Sequence, residues 1–107
     1  EVVAKAEETG AAILALKALA YGKIAAGEEK KYAKCWYHPI EDRALADLAL
    51  RFTLSQPITA AIPPGEVAFF DVALDIAAQF RPVNDEEVAL LRQYSETAEP
   101  LFRLNAA

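Results

Sequence analysis

Two short apolar runs, residues 11–16 (AAILAL) and 58–62 (ITAAI), constrain this chain more than any other feature. Neither carries the spacing of three and four that marks a helix face, and breakers bound both. Gly10 precedes the first, Pro57 precedes the second, and Pro63-Pro64-Gly65 cuts the second off. Runs that are apolar at nearly every position suit strands covered on both faces. Between them, residues 42–55 (DRALADLALRFTLS) place Leu45, Leu48, Ala49 and Phe52 on one broad apolar face of a helix that Pro57 stops. Strands joined through a helix run parallel. A parallel pair with two apolar faces asks for cover on each and for further strands at its edges, which 107 residues do not supply. The expected fold class is therefore α/β, two parallel strands with flanking helices, in a single domain that is incomplete.

The other elements fit that plan. Residues 2–9 (VVAKAEET) read as the end of a helix closed by Gly10, a residue suited to the left-handed position after a last turn. Residues 21–39 hold Gly22, Gly27, mixed charges and the aromatic segment Cys35-Trp36-Tyr37-His38, and read as a long irregular loop. Phe69, Ala73, Ile76 and Phe80 lie at helical intervals, with Val67, Phe70 and Leu74 widening the stripe, in a helix ending near Arg81-Pro82. Asn84 and Glu87 have the spacing of a capping box, so a last helix starts there and runs to about Glu96. The absence of methionine is what a segment taken from within a longer reading frame would show.

Charge and composition exclude several roles. A net charge of −5 without a basic, aromatic-studded stripe argues against nucleic acid, whose binding depends on neutralising phosphates. Lys30, Lys31 and Lys34 follow Glu28 and Glu29 and read as a solvated mixed-charge turn. No apolar run approaches the ~20 residues of a membrane span, and the acidic start is wrong for a signal peptide. A lone cysteine, Cys35, fits a reducing compartment, so the expected location is cytoplasmic.

The segment AILALKALAYG, then a helix ending ALRFTLSQ, then ITAAIPPG, resembles the closing section of the aldo/keto reductases, over roughly residues 4–102. That resemblance implies a C-terminal fragment of a TIM (β/α) barrel: the seventh and eighth β/α units and a terminal helix, with a missing N-terminal barrel segment as partner. It implies reduction of aldehydes or ketones, a small carbonyl substrate, with hydride from NADP(H) or NAD(H). The family's catalytic Tyr, Lys, His and Asp belong to the first half of the barrel, so no catalytic residue is carried over to this chain. Cofactor contacts are carried over. The family's Ser-Pro-Leu-Gly-x-Gly stretch matches residues 17–22, which nominates Lys17, Leu19, Ala20 and Gly22; its Ile-Pro-Gly turn matches Ile62, Pro64 and Gly65. Glu66 stands where the family's adenosine-phosphate segment is polar and basic, and a carboxylate there repels a 2′-phosphate.

Trp36 and Tyr37 are candidate walls of a substrate mouth or, equally, the loop's own small core. Leu101 and Phe102 either cover that mouth or dock on the last helix. Lys17, ending a strand, offers a Schiff-base amine as an alternative chemistry. Cys35 and His38 have ligand-like spacing but no further Cys or His to complete a zinc site, so no metal is expected; as thiol and base they would need contact in space. The acidic residues Asp42, Asp47, Asp71, Asp75, Glu86 and Glu87 read as helix caps and solvated faces. A different class of function, a non-catalytic interaction module, would use the exposed strand edges for self-association or pairing with another chain.

Overall fold

Helix α1 (Val2–Thr9) ends where Gly10 adopts φ 71°, which lets the amides of Gly10 and Ala11 close the last turn on Ala6 and Glu7. A computed structural model describes residues 1–102 of the chain. With Ala11 engaged in that cap, the first strand is shorter than the apolar run: β1 is Leu14–Leu16. The chain continues through β2 (Ala20–Lys23), β3 (Tyr37–Pro39), α2 (Arg43–Leu54), β4 (Ala60–Ile62), α3 (Val67–Ala78) and α4 (Asp85–Thr97). Among the described residues, four helices and two small two-stranded sheets make an α/β domain.

β1 and β4 pair in parallel, Leu14 beside Ala60 and Leu16 beside Ile62. Thr59 extends the ladder: its amide donates to the Ile13 carbonyl at 2.9 Å and its hydroxyl accepts the Ile13 amide at 3.0 Å. Because alternate residues point to opposite faces, Ala15 and Ala61 share one side, and Ala61 packs against the core between α2 and α3. Leu14, Leu16, Ala60 and Ile62 share the other, and the described residues leave it largely uncovered. Leu14 is 58%, Leu16 63% and Ile62 44% exposed. The expectation of strands buried on both faces is corrected here: one face is half-buried and the other, equally apolar, is open.

The segment read as an irregular loop also needs correction. β2 and β3 form an antiparallel pair, with Ala20 opposite Pro39 and Gly22 opposite His38, and an irregularity at Tyr21 between them. The strands are short and carry Gly22 and Pro39, so no alternating pattern announced them. The pairing seats Leu19 and Ile40 in the core, joined by an Ile40 amide to Leu19 carbonyl bond of 2.8 Å.

Leu45, Ala46 and Leu50 of α2 and Ala73 and Ile76 of α3 complete that core. Asp42 caps α2 by accepting the Leu45 amide at 2.7 Å, and the capping box of Asn84 and Glu87 opens α4 as its spacing requires. α3 buries only Phe69, Ala73 and Ile76. It stops at Ala78, with the Gln79 and Phe80 amides turning back three residues to Ile76 and Ala77, so Phe80 lies past the helix. Val67, Phe70 and Leu74 face outward instead of widening the buried stripe. The accessible surface is 7589 Å², against about 5,800 Å² for a compact monomer of this size.

Arg51 is buried, only 1% exposed, and ties α2 to α4. Its Nε donates to Asp47 at 2.8 Å, Nη1 reaches the Arg81 carbonyl and Glu87 at 3.3 Å each, and Nη2 pairs with the other Glu87 oxygen. Asp47, read as lying on a solvated face, and Glu87, read as part of the cap, are both partners of a buried cation.

Candidate functional site

Three residues nominated separately meet at the carboxyl end of β1. Lys17 follows the strand with φ 66°, the only non-glycine residue at positive φ among the described residues. Its carbonyl accepts the Ala20 amide at 3.0 Å, closing the turn into β2. In this turn the Lys17 ammonium lies 4.6 Å from the ring centres of both Trp36 and Tyr37. The rings stand nearly perpendicular, 5.7 Å apart, so the cation occupies the angle between two π faces. Tyr37 is buried on β3, whereas Trp36 is 54% exposed. Phe102, from the chain after α4, brings its ring within 6.3 Å of Trp36 and extends the aromatic wall.

The loop before β3 reaches the other strand end as well. The Lys34 amide donates to the Glu66 carboxylate at 2.7 Å, at the start of α3. A Cβ on Gly65 would lie 3.6 Å from the Lys34 Cβ, so side chain and turn pack directly. Tyr32 meets the buried Phe69 ring edge-on at 4.9 Å. One loop thus spans the carboxyl ends of both parallel strands, the place where working loops of α/β sheets gather.

The nominated cofactor residues divide. Lys17 and exposed Gly65 remain accessible. Leu19 is 2% exposed in the core, and Gly22 is buried against the chain's own tail, where a Cβ would lie 3.4 Å from the Glu99 carbonyl. Ala20 is half-buried in β2, Pro64 is buried in the turn, and Ile62 belongs to the open sheet face. No protein-family model, curated protein or solved structure matches the chain.

Local electrostatics favour order in the loop. Glu28 accepts the Ala25 amide at 2.9 Å and pairs with His38 at 2.9 Å. These contacts, the Ala25 amide first, hold its carboxyl below the ordinary range. Lys31 bonds both oxygens of Glu41, which lowers the carboxyl and raises the ammonium. Burial, with the Cys35 thiol adding to it, pushes the Tyr37 hydroxyl up. Cys35 is buried and His38 is committed to Glu28, so the two are not arranged as thiol and base. No group of three or more His, Cys, Asp or Glu is placed to hold a metal among the described residues. No helix among them is long and apolar enough to cross a membrane.

The motif spacing marked Lys17, Trp36 and Tyr37 as candidates but not as neighbours. Their meeting depends on the Lys17 backbone entering the left-handed region, which no lysine signals in advance.

Proposed function

We propose that this chain is the closing section of an aldo/keto reductase-type TIM barrel. In this reading it gives a cytoplasmic NADP(H)- or NAD(H)-dependent carbonyl reductase part of its cofactor floor and one side of its substrate mouth. The observation that carries the reading is the parallel β1–β4 pair, joined through α2, with an apolar face left open by Leu14, Leu16 and Ile62. A barrel interior is filled by such residues from successive strands, so an open apolar face on two parallel strands is what a barrel section presents when its other strands are absent.

The site supports the same reading. The Gly65 turn and the start of α3 lie at the carboxyl end of β4, where amide hydrogens at a helix start favour an anion such as a dinucleotide phosphate. The Glu66 carboxylate beside them disfavours an added 2′-phosphate and tilts the preference towards NAD(H). The catalytic acid is supplied by the remainder of the barrel, and the chain by itself does not turn over substrate. The test is oxidation of reduced nicotinamide by the protein expressed from its whole natural reading frame, offered a panel of small aldehydes and ketones. Carbonyl-dependent oxidation supports the reading; neither turnover nor nicotinamide binding would sink it.

A second reading, a non-catalytic interaction module, draws on the same open face. It predicts association of the 107-residue chain through β1 and β4, and fails if the chain stays monomeric at high concentration. A Schiff-base role for Lys17 would require its amine to leave the two rings it faces and meet a carbonyl carbon.

A further inference from the structure

We infer that Lys17, Trp36 and Phe102 form a binding site for a small organic carboxylate, the carboxyl group meeting the Lys17 ammonium and the apolar body lying on the exposed aromatic rings. If the reductase reading holds, this names the substrate class as carbonyl compounds that also bear a carboxylate. The inference rests on that reading only for this last step.

Three observations carry it. First, the Lys17 backbone occupies the left-handed region, which disfavours a non-glycine residue, and strain of this kind concentrates at ligand sites. Second, that conformation sets the ammonium against two rings, which attract it but satisfy none of its hydrogen-bond donors as an oxygen would. Lys5 and Lys31 bond carboxylates, at 3.0 and 2.8 Å, whereas Lys17 makes no ion pair among the described residues. Third, Trp36 exposes a large apolar face directly beside the charge, and the exposed Phe102 ring, 6.3 Å from Trp36, extends that surface. An inorganic anion would use the ammonium and leave those faces wet; a carboxylate with an apolar body uses both. The chain's net charge of −5 repels anions at a distance, so binding relies on these short-range contacts and is modest.

The experiment is a titration of the whole chain, read by fluorescence of Trp36, its only tryptophan. The probes are cyclohexanecarboxylate, the uncharged cyclohexanecarboxamide and inorganic phosphate, at constant ionic strength. The carboxylate should give a saturable change, with the amide and phosphate each about tenfold weaker or more. Lys17→Met, which keeps most of the stem and removes the charge, should weaken the carboxylate by a similar factor with an unaltered circular dichroism spectrum. No saturable change, an amide or phosphate that binds as well as the acid, or full binding by a folded Lys17→Met chain overturns the proposal. Should that variant not fold, the three probes on the unsubstituted chain decide alone. No nicotinamide or turnover enters the titration, so its failure is separable from failure of the reductase reading.

Discussion

The guanidinium of Arg51, buried in α2, is held by the carboxylate of Glu87 in the first turn of α4. The same carboxylate accepts the Asn84 amide at 3.3 Å, so one side chain closes a helix cap and neutralises a buried cation. α4 buries no residue fully, so this polar tie acts together with the half-buried Leu91, which packs against the core, in holding the helix. Glu87→Ala should destabilise the fold, because it leaves the buried Arg51 guanidinium without its two-oxygen partner. Asp47→Ala should cost less, because Asp47 is half exposed and water replaces it more readily. Urea denaturation of both variants checks the order.

Acid should release the same helix. The Arg51 guanidinium, followed by the Asn84 amide, holds the Glu87 carboxyl below its ordinary range. A group depressed in the folded state contributes stability that is fully present above its unfolded value and is lost as pH falls through the folded one. Stability should therefore be flat near neutrality and drop below the ordinary carboxylate range. In Glu87→Gln that drop should be smaller. Equal acid sensitivity in the two proteins would remove Glu87 from the account.

The open sheet face makes a sharper prediction. Leu16 points away from the core of this chain. Leu16→Lys should change the chain's stability by no more than about 0.5 kcal/mol, as for an exposed position, and should reduce any self-association seen by sedimentation. A loss of several kcal/mol would mean that the chain covers this face itself.

How far residues alone reveal this molecule depended on whether a signal was local. The α1 stop at Gly10, the α2 cap at Asp42 and the Asn84–Glu87 box are each set within a few residues, and each is found in place. The β2–β3 pair escaped because Gly22 and Pro39 read as breakers, and only pairing across the loop makes strands of them. The β1–β4 register was foreseeable in direction but not in coverage. An apolar run states that a face wants cover, not whether cover is present. At the site, Lys17, Trp36 and Tyr37 were separately conspicuous, while their convergence depended on one left-handed residue.

That residue can be tested for its purpose. Asparagine tolerates the left-handed region better than lysine, while the two ring contacts of Lys17 contribute about 0.5–1 kcal/mol each at exposed sites. These terms oppose one another, so Lys17→Asn should shift stability by about 1 kcal/mol or less and abolish carboxylate binding. A thermal melt paired with the Trp36 titration checks both. Destabilisation well beyond that figure would make Lys17 a structural residue.

A barrel section requires β1 and β4 to be inner strands of a larger parallel sheet, and amide hydrogen exchange measures that directly. In the 107-residue chain, amides of Leu14–Leu16 and Ala60–Ile62 that point away from the partner strand should exchange rapidly. In the protein expressed from its whole natural reading frame the same amides should be strongly protected, because neighbouring strands take them up. Equally fast exchange in both would contradict the barrel reading.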